Sequence, residues 1–238
     1  MAVALMAMAM AMTFTTFYSV IKAWQRGSAM AADLDHGEFV MQQIAYGLRS
    51  AFFPPASAAT TATNVAATNA VATNAAAATP TAGSGYGFVL EDHGEGVGAE
   101  DLISWVKTGA TLLGLNDPLV KGLHRVQLSM EDDGEGGRAI AARAWRPYAN
   151  LLDFDPADIP PRFISSKVVG LNCRVAKEMK DGQWDWLDVW EDEATNCLPL
   201  VVEITLYLEP LEPDEPPVEV RRTTDIPVAP LSWSKAKP

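Results

Sequence analysis

Three stretches of this chain carry residues whose types and spacing could do chemistry. Glu91, Asp92 and His93 place two carboxylates beside an imidazole, which could serve as an acid/base pair or as metal ligands. No second half of such a site follows, since His36 falls in a helical stretch and His124 in a strand-like one, without metal-motif spacing. A solvated strand end accounts for the trio. The second stretch, DGQWDWLDVWEDEATN at 181–196, sets Trp184, Trp186 and Trp190 among Asp185, Asp188, Glu191, Asp192 and Glu193. It could form a carbohydrate platform or hold Ca²⁺ through carboxylates. There is no EF-hand spacing, and the three tryptophans share parity, so an extended segment puts them on one face. Packing in a core or an interface is the simpler account. The third, DDGEGG at 132–137, surrounds its glycines with acids, the wrong charge for a phosphate cradle. With no nucleophile elbow and no phosphate loop between strand and helix, the residues nominate no catalytic, cofactor-binding or metal site.

Cys173 and Cys197 are the only cysteines and make no metal-ligand spacing. Two readings stay open for them, a single disulfide in an oxidising envelope compartment or two buried thiols acting as small apolar residues. The formal net charge of −12 disfavours a basic patch for nucleic acid or anionic lipid.

The elements that would position these residues begin with a long helix. The first 21 residues carry no charged side chain, and as a helix they would measure roughly 31 Å, enough to cross a bilayer core. No basic n-region precedes the run, so a membrane anchor explains it better than a signal peptide. Met1, Leu5, Phe14, Phe17, Val20 and Ile21 are the expected anchor residues. Lys22 and Arg26 follow the span, and the positive-inside tendency would leave that end in the cytoplasm. A basic leader ahead of Met1 would remove this conflict, and we expect one. No proline interrupts the chain before Pro54-Pro55. Beyond the span, Met30, Leu34, Gly37, Met41, Ile44, Leu48 and Ala51 recur at spacings of three and four, so Leu34, Met41, Ile44 and Leu48 are expected to pack the helix on a sheet.

The layout is therefore a helix over 1–53 with a membrane-spanning half at 1–24, a low-complexity Ala/Thr/Asn loop at 54–85, a β-rich domain at 86–233 and a tail at 234–238. Strands are expected at 86–91, 101–108, 123–131, 138–147, 164–179, 198–210 and 218–231. The period-two alternation is clearest at Val126, Leu128 and Met130 and at Val202, Ile204, Leu206 and Leu208. One long helix segregated from a mostly antiparallel sheet makes an α+β fold.

In this arrangement the chain resembles the minor pseudopilin J of type II secretion systems, a type IV pilin-like family. The opening MAVALMAMAMAMTFTTFYSVIKAW with the amphipathic 28–52 half is similar to the family's N-terminal helix. LHRVQLSMEDDGEGGRAIAARAWRP is similar to its paired strands, although Arg146 separates Trp145 from Pro147. Gly182, Trp184, Trp190, Leu198-Pro199, VVEITLYLE and IPVAPL follow in the family's order. The resemblance implies a pilin-like fold and a non-enzymatic subunit at the tip of a short pseudopilus. That subunit would help start assembly and the export of folded proteins across the outer membrane. Its implied partners are the I- and K-type minor pseudopilins, the major pseudopilin and the inner membrane, with no nucleic acid and no cofactor. The family's leader ends in Gly before an apolar residue and a Glu, where prepilin peptidase cuts and the new terminus is methylated. None of these precedes MAVALM, so the run matches the portion after that Glu. The implied location is single-pass in the inner membrane, with the C-terminal domain in the periplasm. The other readings are a minor pilin of a type IV pilus or DNA-uptake machine, and a membrane-anchored periplasmic sugar-binding or hydrolytic domain using 181–196.

Overall fold

The structure, a computed structural model, describes residues 2–54, 86–134, 136–147, 154–191, 197–210, 212 and 215–233. The Ala/Thr/Asn stretch from 55 onward and the 234–238 tail lie outside the described residues.

Helix α1 (Ala2–Arg49) is one unbroken helix, about 72 Å long at the standard rise. Its alanines, methionines and leucines are strong helix formers, and Pro54-Pro55 ends any continuation. After the last turn the chain runs beside a strand, where the Phe52 amide donates to the Val106 carbonyl at 2.8 Å.

Two antiparallel sheets follow. The first joins β1 (Val89–Glu91), β2 (Leu102–Lys107), β3 (His124–Asp132), β4 (Arg138–Trp145) and β5 (Arg162–Ser165) in sequential order. The second has β6 (Val168–Lys180) between β7 (Gln183–Leu187) and β8 (Val201–Leu208), with β9 (Val218–Asp225) outside β8. A short helix, α2 (Ala229–Trp233), closes the described chain. The fold is α+β, a long N-terminal helix against antiparallel sheets.

The β3–β4 hairpin shows how the sequence dictates register. Gly134 and Gly136 adopt left-handed φ of 79° and 89°, and the Gly134 amide donates to an Asp132 carboxylate oxygen at 2.8 Å. That turn pairs Met130 with Ile140 and Leu128 with Ala142, so the apolar residues of both strands share a face. In the second sheet Leu171, Cys173 and Val175 on β6 pair with Leu206, Ile204 and Val202 on β8. The inner faces of the sheets and the second half of α1 form one apolar core. Fully burying a leucine or valine there stabilises the fold by about 1.5–3 kcal/mol per side chain.

The helix seam starts one turn later than its spacing implies. Met41, Ile44 and Leu48 are fully buried, with Val40 and Ala45 beside them, but Leu34 remains 37 % exposed. The reason is polar anchoring at that level. Asp33 pairs with Lys167, His36 Nε2 meets Ser165 Oγ at 2.8 Å, and Glu38 takes Arg222 at 2.6 Å. Leu34 shares the helical face of Met41 and Leu48, but at its level the helix meets the sheets through these polar contacts.

Two strand boundaries also move. The expected 164–179 strand is two strands in different sheets, broken where Ser165 Oγ accepts the Lys167 amide at 3.1 Å. The expected 218–231 strand ends at Asp225, because Pro227 and Pro230 cannot donate to a ladder. The chain instead turns into α2, tied back by the Leu198 amide donating to Ser232 Oγ at 2.9 Å and Trp233 Nε1 donating to the Leu198 carbonyl at 2.9 Å.

Candidate functional site

Two surfaces stand apart from the packed core. The first is the outer half of α1, which reaches the domain through Arg26 at Glu212 and Glu215. Every described side chain from Met6 to Ala32 is exposed, among them Met10, Met12, Phe14, Phe17, Tyr18, Val20 and Trp24 at 60 % or more. Of the expected anchor residues, Phe14, Phe17, Val20 and Ile21 lie on this exposed stretch. Met1 and the side chain of Leu5 lie outside the described residues. No helix among the described residues is long and apolar enough to cross a membrane.

The second surface is a polar cleft of about 260 Å³ on the outer face of the second sheet. Period-two alternation builds its floor. Ile204, Leu206 and Leu208 point into the core, so Glu203, Thr205 and Tyr207 point out. Asn172 and Arg174 lie opposite Thr205 and Glu203 on β6, and Arg221 lies opposite Thr205 on β9. Asp92, Glu95 and Asp101 from the segment between β1 and β2, and Asp188 after β7, form the wall.

Asp101 fastens that wall to the floor. Its carboxylate accepts the His93 amide at 2.9 Å and the Cys173 amide at 2.6 Å. Burial pushes its carboxyl above the usual range, and the two amide donors oppose that shift. The Asp101 amide donating to the Leu171 carbonyl (3.0 Å) and the Leu171 amide donating to the Ala99 carbonyl (2.8 Å) complete the attachment. Within the floor, Arg174 Nε donates to Glu203 Oε1 at 2.7 Å and its guanidinium lies 4.7 Å over the Trp186 ring. Arg221 is held by Glu219 at 2.6 Å.

The Glu91–Asp92–His93 trio divides as an extended chain should. His93 Nε2 lies 3.2 Å from Glu91 Oε2 on one exposed side, while Asp92 faces the cleft and receives the Gly94 amide at 3.1 Å. The three tryptophans also separate. Trp190 is buried, donating to the Cys197 carbonyl at 3.2 Å and meeting Trp233 edge-on at 6.0 Å. Trp184 and Trp186 are half-buried on β7, and Arg174 occupies a face of Trp186. Among the described residues no group of three His, Cys, Asp or Glu side chains is arranged to hold a metal ion.

Cys173 and Cys197 are free, buried thiols, so the disulfide, one of the two readings above, is not formed. Register explains the separation. Cys173 pairs with Ile204, and the chain must run back from there past Leu200, itself bonded to Ala176, before reaching Cys197. Cys197 instead packs beside α2, with its thiol 3.5 Å from the Ser232 carbonyl. Burial pushes both thiols up, Cys173 the further.

Sequence reasoning missed a buried cation. Lys107 is fully buried, and its ammonium donates to the carbonyls of Thr108, Gly109 and Thr111 at 2.9, 3.1 and 3.2 Å. Burial pushes its pKa down to about 8. A lysine closing an alternating strand reads as a surface residue, and no local pattern marks it otherwise.

Neither protein-family models nor curated proteins match this chain.

Proposed function

We propose that this chain is a non-enzymatic, pilin-like assembly subunit, a minor pseudopilin of the J type. One observation carries the reading. A single helix is buried on its own domain from Gly37 onward and presents exposed, mostly apolar side chains from Met6 to Trp24. Exposed apolar area of that extent marks a surface that another apolar phase covers. A bilayer covers it before assembly, and the helices of neighbouring subunits cover it afterwards. The same helix then serves as anchor and as polymer core. The sheet domain sits in the periplasm and contributes the contacts that distinguish I-type, K-type and major pseudopilin partners. Antiparallel sheets packed against the second half of the helix support a pilin-like layout.

The test is intact-mass and N-terminal peptide analysis of the native protein taken from its own membranes. The expected mature chain has a methylated apolar terminus and a glutamate ahead of the run beginning MAVALM. Recovery in the soluble fraction, or an unprocessed terminus at Met1, overturns the reading.

A further inference from the structure

We propose that the cleft on the outer face of the second sheet receives an arginine side chain presented by a partner protein. Charge is the first argument. Five carboxylates (Asp92, Glu95, Asp101, Asp188 and Glu203) line the cleft against two guanidinium groups, those of Arg174 and Arg221. Both guanidinium groups are already engaged, by Glu203 and by Glu219 outside the lining. Glu95 and Asp188 have no ion-pair partner among the described residues. With Asp101 buried on two amides and Glu203 taken by Arg174 and Arg221, the outward excess of negative charge is that of Asp92, Glu95 and Asp188.

The second argument is a hydroxyl left waiting. Thr205 is only 4 % exposed, points into the cleft, and makes no side-chain hydrogen bond among the described residues. Its oxygen opens to the cleft rather than being sealed from water, and an N–H donor entering the cleft would take the place of that water. Size is the third. At about 260 Å³ the cleft is below the ~300 Å³ at which pockets for drug-sized ligands begin, so it suits one long side chain. The donors it lacks are those of a guanidinium, whose planar fork engages carboxylates in pairs and stacks on rings such as Tyr207. Among the described residues no group of carboxylates is arranged to hold a metal ion. This inference holds for any partner with a basic protrusion, so it stands independently of the secretion reading.

The test uses the full chain in detergent micelles, with threonine methyl groups labelled for NMR. The probes are a blocked Gly-Arg-Gly peptide and its citrulline counterpart, which keeps the shape and loses the charge. Saturable shifts at Thr205 with the arginine peptide, and none with citrulline, are expected. Glu95→Gln with Asp188→Asn should weaken binding about tenfold by removing two charge-assisted acceptors. Both side chains are exposed and unpaired, so folding should be untouched. Thr205→Val, an isostere with no bond to lose, should weaken binding severalfold in a folded protein. Equal binding of both peptides overturns the proposal. So does an absence of shifts with either peptide, or arginine binding that survives the double substitution.

Discussion

Replacing Gly170 by alanine probes the contact that holds the wall of the cleft against its floor. A Cβ at Gly170 would lie 2.5 Å from the Val97 carbonyl oxygen and 3.2 Å from Tyr207 Cδ2. An ordinary carbon–oxygen contact is about 3.3–3.6 Å, so the shortfall is roughly 0.8 Å or more. The obstructing atom belongs to the backbone of the 3-10 turn Gly96–Gly98, which cannot rotate aside as a side chain can. Overpacking of this kind costs about 1–3 kcal/mol, while alanine in place of glycine in a strand returns roughly 0.5–1 kcal/mol. The net expectation is a loss of up to about 2.5 kcal/mol, or as much as roughly 10 °C in Tm for a domain of this size. Gly37→Ala is the control. Its Cβ would also meet an atom closely, Leu208 Cδ1 at 2.6 Å, but that atom is the end of a flexible side chain. The helix gains about 1 kcal/mol from the substitution, so the variant should stay within about 1 kcal/mol of the parent. Thermal unfolding in one detergent, with amide exchange at Asp101 and Leu171, reads both effects. If Gly170→Ala melts with the parent while its Asp101 and Leu171 amides stay protected, the tight apposition of wall and floor is wrong.

Other expectations follow from single groups. Lys107 has a folded pKa near 8 against 10.5 for the free side chain, so between those values the unfolded chain holds the extra proton. Stability therefore rises with pH across that window, by about 3 kcal/mol in total. Subtracting the pH–stability curve of Lys107→Met should isolate this slope, and parallel curves would show that the ammonium is not desolvated. Trp190→Ala removes a buried ring and its bond to the Cys197 carbonyl, and should cost about 3–5 kcal/mol by urea unfolding. An Ellman reagent should label neither cysteine in the folded protein and both after unfolding, and reductant should leave the Tm unchanged. Labelling of the native chain would place a thiol at the surface.

The parts of the fold legible in the sequence are those set by local period. The uninterrupted run before Pro54-Pro55 reads as one helix, and Val126-Leu128-Met130 and Ile204-Leu206-Leu208 read as strands with one buried face. What local period cannot supply is the division into two sheets. Nothing in ISSKVVGLN says that the chain changes sheet at Ser166-Lys167, because the break depends on Ser165 engaging both the Lys167 amide and His36 of a distant helix. Leu34 misleads for a related reason. It keeps the helical spacing and face, but at its level the helix meets the sheets through polar pairs at Asp33 and Glu38. The cleft was illegible because five separate segments contribute to it. Asp101 looks like any loop acid until the His93 and Cys173 amides are seen to converge on it.

The helix and the cleft use opposite faces of the second sheet, a consequence of strand geometry. Arg222 pairs with Ile204 and reaches inward to Glu38 on α1, whereas Arg221, one residue earlier, pairs with Thr205 and lines the cleft. A partner packed along α1 therefore leaves the cleft open, and an arginine seated in the cleft leaves the helix seam alone. The two sets of substitutions should then act independently. Combining Gly37→Ala with Glu95→Gln and Asp188→Asn is expected to give stability and peptide-binding changes that add to within about 0.5 kcal/mol, as for sites without shared partners. A larger departure would mean that the sheet transmits strain between its faces, and occupancy of the cleft would then bias how the helix packs.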